Sequence, residues 1–413
     1  TLRRLVSAQF LAEAADGVVH VTLPLYVLAE TGSPIAMSLT FFAEMVGAAL
    51  LGVVGGVLAD RFDRLHVLRA SFLLRALFLV AAWASAPVLL TITLGVSARA
   101  FGQLDNPSFD ALIPDQAESD AELQPVLSLR RFIQSVSVVV GPAIGAVSVW
   151  ALDAKRTLAI AAALFAAAIA IHMTLHGLDR GAKKRRLEHH GSNWLNLAAG
   201  MSVVMTTPFV RRLVLYWVLS LVTVAVAMAA CAVWYEDTLR LPEYWYGISV
   251  SAYGVGAAGA TLVFGGRQFQ MSLPAVLLAA APVYALTCAL CVAAPVPWLF
   301  PMGWLLWGIA LGPEIVRAEP EFVKRINPSS LGRAYAGLGV ALTLGLALGY
   351  LVAGPLLDRF GARTTTLVAA VAIVAIGAMW LGPAVRHEGR FDETLVELVP
   401  ADTHLPEERA AVS

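Results

Sequence analysis

Charge is what this sequence has least of. Of its 413 residues 14% are Asp, Glu, Lys or Arg and 58% are hydrophobic, whereas a soluble domain takes about a quarter of its residues from the charged types. Neither sign is in excess, with 29 Lys+Arg against 29 Asp+Glu, so the basic field that nucleic-acid binding requires is missing. Cysteine is almost absent, and Cys231, Cys288 and Cys291 all lie in or beside apolar runs. The C-x-x-C spacing of the last two lacks a second pair or nearby histidines, so helix packing is expected of them rather than metal or redox chemistry. The sequence also has no G-x-x-x-x-G-K-[ST] loop, no H-E-x-x-H and no G-x-S-x-G. ATP coupling within the chain and intramembrane hydrolysis are therefore disfavoured. No enzyme activity, metal or cofactor is expected.

Long apolar runs are what the sequence has instead, and the mean hydropathy is +0.73. About twenty apolar residues cross the roughly 30 Å hydrocarbon layer of a bilayer. Charged or Pro/Gly punctuation marks off twelve such runs, near 5–29, 35–59, 66–86, 88–109, 126–151, 157–177, 210–234, 246–268, 272–294, 297–318, 333–357 and 364–385. The first is too long for the core of a cleavable signal peptide. The expected fold is an all-α integral membrane protein of twelve transmembrane helices in two six-helix bundles, residues 1–177 and 210–386. A basic linker with an amphipathic segment, 178–209, joins them, and a polar tail, 387–413, follows.

The Lys and Arg residues orient the chain. With the N-terminus inside, 22 fall in inner segments and 5 in outer loops, and Arg75 and Arg99, within spans, complete the 29. That bias places both termini in the cytoplasm. The linker's RGAKKRRLEHH then reads as an anchor on the inner, anionic membrane surface. Trp234, Tyr235, Tyr244, Trp245 and Tyr246 are expected to form an interfacial aromatic belt.

The two halves echo one another at an offset of about 210 residues. GPAIG at 141–145 is matched by AGPLL at 353–357, and IPDQAESDAELQ after the fourth run by INPSSLGRAYAG after the tenth. Weak repetition between six-span halves is the mark of transporters built from two related bundles.

An ionisable side chain within a span costs about 2.5–3.5 kcal/mol at the helix centre on insertion scales, and so marks function by default. Glu13, Asp16 and His20 follow i, i+3, i+7 spacing and share one face of the first helix. That face is expected to line a central cavity, where carboxylates taken out of water exchange protons nearer neutral pH. A purely structural pairing with a buried Arg is the alternative. Glu44 stands alone in the second run and Arg75 in the third; Arg99 has Gln103 four residues on, with Asp105 and Asp110 beyond. Glu314 follows Gly312-Pro313 in the tenth run, a sequence that loosens a helix toward a cavity. Glu13, Asp16, His20, Glu44, Arg99, Gln103 and Glu314 are the candidate proton and substrate residues. Gly141, Pro142 and Gly145 let two helices approach closely and bend, as a gate requires.

GGVLADRFDR at 55–64 resembles the G-x-x-x-D-R-x-G-R signature of the major facilitator superfamily, with Gly56, Asp60, Arg61 and Arg64 in register and Asp63 where the pattern has Gly. ARAFGQ around Arg99 is similar to that family's fourth-helix motif, and VVVGPAIGA to its fifth-helix exporter motif. AADGVVHVTLPLYVLAETGSP, FGQLDNPSFDALIPD and LGRAYAG look like the branch of bacterial enterobactin exporters and macrolide-efflux proteins. The resemblance implies alternating access, with Asp60, Arg61 and Arg64 stabilising one gate state. It implies export of an amphipathic small molecule (a drug, siderophore or similar metabolite) by proton antiport, across the bacterial plasma membrane. The partners are then that substrate and membrane lipid, and the chain is expected to be a monomer. A lipid or lysolipid translocator, or a small-solute importer, is the alternative within the fold.

Overall fold

The structure, a computed structural model, describes residues 2–112, 120–175, 201–202, 204–265, 271–293, 296–327 and 330–381. The basic run of the linker and the polar tail lie outside the described residues. Every long element is a helix: α1 Leu2–Thr31, α2 Pro34–Arg61, α3 Arg64–Ala84, α4 Val88–Phe101, α5 Asp105–Leu112, α6 Asp120–Ala151 and α7 Ala154–Met173 in the first half. The second half holds α8 Pro208–Val233, α9 Tyr244–Gly265, α10 Leu273–Ala293, α11 Leu299–Lys324 and α12 Leu331–Gly377. Among the described residues, ten helical stretches are long and apolar enough to cross a membrane. Their outer faces carry the large hydrophobics that water would not tolerate, Leu89, Trp150, Leu262 and Val371 each more than two-thirds exposed. A chain in hydrocarbon satisfies its backbone internally, which leaves helices as the element available to it here.

Local chemistry sets the helix boundaries. Ser33 caps α2 by accepting from the Ala36 amide at 3.2 Å, with Pro34 in the first turn. Asp63 caps α3 by accepting from the His66 amide at 3.1 Å. The aspartate that departs from the superfamily signature thus starts the third helix as its N-cap. The fourth apolar run departs from the sequence reading, because α4 ends at Phe101 and a tight turn, Gly102–Leu104, precedes α5. The Arg75 guanidinium occupies the space a side chain at Gly102 would take, 2.9 Å from an ideal Cβ. Within α12, Gly361 has φ 71° and ψ 171°, a conformation open to glycine, and it interrupts the 47-residue helix where the sequence divides two runs.

The internal repeat is visible in the packing. α6 packs on α1 of its own half and on α9 of the other, while α12 packs on α8 of its own half and on α2 of the other. The Gly-Pro pairs of the repeat sit at these junctions. Gly17 and Gly141 bring α1 and α6 so close that an ideal Cβ on Gly17 would lie 2.8 Å from the Gly141 Cα. Gly247 of α9 approaches the Pro142 carbonyl to 3.1 Å on the same measure, and Gly354 of α12 lies as close to Ile35 of α2. Gly17→Val is expected to lower the apparent melting temperature in detergent, with an overpacking cost of about 1–3 kcal/mol. Gly259→Val, at a position with nothing within 4 Å, is expected to leave it unchanged.

The halves are joined near one end, the end of the 31–34, 151–154 and 238–244 connections. There Val21, Leu25, Met37 and Phe41 of the first half share one core with Trp234, Tyr235, Tyr246 and Tyr350 of the second. Toward the other end each half has its own core, around Phe72 and Phe165 in the first and around Tyr216 and Trp380 in the second. This corrects the expected aromatic belt at three of its five residues, whereas Tyr244 and Trp245 are half-buried. Trp234, Tyr235 and Tyr246 are 1–2% exposed, because the Trp234 indole donates to Thr366 Oγ1 at 3.0 Å and the Tyr235 hydroxyl is 2.8 Å from Ser249 Oγ. With their polar tips partnered, burial of the Trp234 and Tyr235 rings is favourable; the buried Tyr246 hydroxyl has no hydrogen-bond partner among the described residues. The three cysteines are free and buried, and Cys231 Sγ accepts from the Trp304 indole at 3.2 Å.

Candidate functional site

The charges within the spans of the first half converge in two adjacent sets of ion pairs along one face of α1, mostly buried, with Asp110 at the edge and its side chain 57% exposed. Asp16 of α1 pairs with both Arg75 of α3 and Arg99 of α4, the latter through Nη1 at 3.0 Å. Arg75, 1% exposed, also binds Asp105 at 3.0 Å and lies 4.1 Å from the centre of the Phe165 ring. Glu13, one turn before Asp16, takes Arg130 Nη1 of α6 at 2.7 Å, and Arg130 Nε reaches Asp110 at 2.8 Å. His20, one turn after Asp16, places Nδ1 3.1 Å from Glu44 Oε2 of α2, and Arg99 Nε is 3.4 Å from the same oxygen. The first-helix face predicted from spacing therefore points into the first half, and each of its members has a different partner.

Two features of this network bear on chemistry. It assembles five carboxylates, Glu13, Asp16, Glu44, Asp105 and Asp110, against three guanidiniums, so full ionisation leaves it net negative. Glu44 is also the most enclosed acid, its side chain wholly inaccessible, and its Oε1 has no hydrogen-bond partner among the described residues. An acceptor oxygen buried without a donor retains its desolvation cost. His20, its side chain 21% exposed, is the more accessible member of the pair.

The network also reaches the seam between the halves. His20 meets the edge of the Phe41 ring at 5.3 Å, and Phe41 stacks on Tyr350 of α12 at 4.4 Å with an interplanar angle of 10°. Phe41 and Glu44 are three residues apart on α2 and so share a helix face.

The second half holds a different kind of site. Glu314 of α11, 3% exposed, accepts at Oε1 from the Tyr284 hydroxyl at 2.9 Å and from the Tyr216 hydroxyl at 3.3 Å. It lines a cavity of about 310 Å³ whose walls include Trp217, Tyr253, Tyr284, Trp307 and Phe322. Trp307 and Tyr284 stack at 4.7 Å, which gives one wall a continuous aromatic face.

The remaining candidates contribute differently. Gln103 enters through its backbone, its carbonyl 2.4 Å from an ideal Cβ on Gly55, which holds α2 close to the turn after α4. Gly141, Pro142 and Gly145 set the α1–α6 and α6–α9 approaches. Arg64 is buried at the start of α3, and Arg61 is exposed at the end of α2. Gly56 lies within α2, and the Asp60 side chain lies outside the described set. Sequence reasoning left Arg75, Asp105, Asp110 and Arg130 out of the site, along with the Tyr216 and Tyr284 donors to Glu314.

At the joined end, outside the spans, burial and the like charges of Glu236, Asp153 and Glu30 push the Glu243 carboxyl up from 4.5 to about 7. A carboxyl that holds its proton more tightly in the folded form makes that form less stable as pH rises through this window. Glu243→Gln is expected to remove this dependence, so that its apparent melting temperature falls less than wild type's between about pH 5 and pH 8. Parallel melts at the two pH values check it.

Comparison with known proteins agrees with this architecture. Residues 5–316 match the Major Facilitator Superfamily. The chain is 25% identical over 406 residues to the multidrug efflux pump Tap of Mycobacterium tuberculosis, covering 92% of each chain. It is 21% identical to macrolide efflux protein A of Streptococcus pyogenes, over 90% of this chain and 92% of that one. Among solved structures, the nucleoside transporter NupG superposes with a TM-score of 0.74 at 16% identity, covering 92% of this chain and 98% of that one. A bacterial homologue of ferroportin in its inward-facing state gives a TM-score of 0.70 at 14% identity, covering 92% of this chain and 98% of that one. Two helical halves related by an internal repeat, multi-pass composition and a match over most of its length show that this chain is a membrane transporter belonging to the Major Facilitator Superfamily.

Proposed function

We propose that the protein is a secondary active exporter that moves an amphipathic small molecule out of the cell in exchange for protons. The observation that carries this reading is the first-half network, a buried set of carboxylates in excess of its arginines, with the enclosed Glu44 joined to His20. The efflux-pump relatives support the direction of transport. A small-solute importer or lipid translocator of the same fold is the second reading.

In the proposed topology the segments on either side of Gly361 are two spans and residues 88–112 one, giving twelve spans with both termini in the cytoplasm of a bacterium and the protein in its inner membrane. The chain acts as a monomer and takes no cofactor beyond the proton gradient. The joined end is then the outer one, so the described arrangement is closed outside, and the cavity around Glu314 belongs to the inward-facing state.

Proton entry from outside reaches His20 and Glu44. Neutralising Glu44 weakens its hold on Arg99 and His20 and leaves Arg99 to Asp16 alone. Because α2 also carries Phe41 at the seam, a change in the Glu44 pairing shifts the contact on which the two halves meet. Protonation and substrate occupancy then bias the inward and outward states by their different affinities for each. Asp60, Arg61 and Arg64 stabilise one of these states at the inner end.

The test is a growth-inhibition panel of amphipathic compounds in cells with and without the protein, repeated with a protonophore. Resistance that the protonophore removes supports proton-driven export. Resistance that persists without a proton gradient, or sensitisation on expression, contradicts it.

A further inference from the structure

Two buried polar atoms at the seam between the halves have no hydrogen-bond partner among the described residues, and they are complementary. Glu44 Oε1 of α2 is an acceptor without a donor, and the Tyr246 hydroxyl of α9 is a donor without an acceptor. Both residues are 1% exposed. Tyr246 shares its core with Phe41, one turn before Glu44 on α2, and with Tyr350 of α12. Gly247, the next residue of α9, packs on Pro142 and Ala146 of α6, which fixes the ring at the seam.

The surroundings of the hydroxyl point to its acceptor. Tyr350, Cys231 and Glu44 are the titratable groups whose charge bears on it. The Tyr350 hydroxyl is directed to Met228 Sδ at 3.7 Å, and Cys231 Sγ accepts from the Trp304 indole at 3.2 Å, which leaves the Glu44 carboxylate. Thr22 and Ser38 also hold buried hydroxyls without partners, but a neutral hydroxyl is the weaker acceptor, a bond to an ionised group being about twice as strong. Glu44 is engaged on its other oxygen alone, Oε2 meeting His20 of α1 at 3.1 Å and Arg99 of α4 at 3.4 Å, with Asp16 beyond Arg99. Tyr350 completes the groups that face it.

We propose that the Tyr246 hydroxyl is the second half's donor to Glu44 Oε1, directly or across one water, so that one carboxylate holds the proton site of the first half and a hydrogen bond to the second. Tyr246 is then a positioning residue for coupling; that role rests on the exporter reading, whereas the bond does not. The ionised carboxylate holds the hydroxyl by a charge-assisted bond. A proton arriving through His20 settles on Oε2 and leaves Oε1 a neutral carbonyl, and the bond across the seam loses about half its strength. The second half thereby registers the charge of Glu44 through α9 as well as through the contact of Phe41 with Tyr350.

Tyr246→Phe keeps the ring and removes the hydroxyl, so the sign of its effect separates a bonded hydroxyl from an isolated one. Loss of an isolated buried hydroxyl relieves its desolvation cost, whereas loss of the donor strands Oε1. Tyr246→Phe is therefore expected to lower the apparent melting temperature of the purified full-length protein. Added to Glu44→Leu, which removes the acceptor, it is expected to lower it no further. Tyr235→Phe, whose hydroxyl is held by Ser249, is expected to cost the same in both backgrounds. Infrared difference spectra between acid and neutral pH give a second reading that does not require the leucine variant to fold. The carbonyl band of protonated Glu44, assigned by its loss in Glu44→Gln, is expected at higher wavenumber in Tyr246→Phe, because a carbonyl freed of its donor absorbs there. A melting temperature unchanged or raised by Tyr246→Phe, an equal loss with and without Glu44, or a Glu44 band at the same wavenumber overturns the inference. If the bond is found while transport in vesicles ignores the proton gradient, the exporter reading fails and the bond remains; proton-driven transport without the bond leaves that reading standing and removes this inference.

Discussion

Glu44→Gln is expected to uncouple transport from the proton gradient while leaving the fold intact. Glutamine keeps the size and hydrogen-bonding capacity of the side chain and removes the proton exchange. One pH unit is worth about 1.4 kcal/mol, so a one-for-one exchange supports about tenfold accumulation per unit of gradient. In proteoliposomes with an imposed gradient, wild type is expected to approach that ratio for a compound identified by the growth panel. Glu44→Gln is expected to bring the ratio down to unity with substrate binding preserved. Asp16→Asn should act in the same direction but less completely, because Asp16 is 26% exposed and already held by two arginines, whereas Glu44 is wholly enclosed and has one oxygen without a partner. Accumulation by Glu44→Gln equal to wild type's assigns the coupling elsewhere in the network.

Arg75→Ala is expected to be the most destabilising single change in the first half. Its guanidinium, 1% exposed, pairs with Asp16 and Asp105, packs over Phe165 and fills the space beside Gly102. Removing one partner of a buried ion pair leaves uncompensated charge and costs about 3–5 kcal/mol, a large share of the roughly 5–15 kcal/mol that holds an ordinary fold together. The apparent melting temperature of the purified protein measures it. Arg75→Ala combined with Asp105→Asn is expected to recover part of the loss, because the stranded charge is then removed as well. If the double variant is no more stable than the single one, packing around Phe165 and Gly102 outweighs electrostatics at this position.

These expectations draw on features that were unequally visible in the sequence. The apolar runs, the break at Gly361 and the shared face of Glu13, Asp16 and His20 are local or periodic and follow from spacing alone. The pairing of that face is not local. Glu13 meets Arg130, Asp16 meets Arg75 and Arg99, and His20 meets Glu44, four contacts that depend on how α1, α2, α3, α4 and α6 pack. A single arginine in an apolar run carries no periodic signal that names its partners, which is why Arg75, though visible as a charge within a span, stood outside the candidate set. Glu314 was legible from its Gly-Pro approach, but the tyrosines that hold it come from α8 and α10, 98 and 30 residues away.

The aromatics after α8 misled for a different reason. Trp and Tyr are enriched both at membrane interfaces and in cores that satisfy their polar tips, and composition does not separate the two. The bond from Trp234 to Thr366, 132 residues away, decides for the core. Asp63 shows the converse. It stands at a glycine position of the signature and serves as the N-cap of α3. Arg61 ends the second helix and Arg64 begins the third, as the charge-rich sequence implied.

Proton movement itself tests the central claim most directly. Proteoliposomes enclosing a pH-sensitive dye, energised by an outward gradient of the compound identified by the growth panel, report protons that enter as substrate leaves. Wild type is expected to acidify the lumen in step with substrate efflux, and Asp16→Asn combined with Glu44→Gln to show no acidification. Substrate efflux by wild type with no change in luminal pH, or acidification undiminished in the double variant, contradicts a proton-coupled exporter whose protons pass through this network.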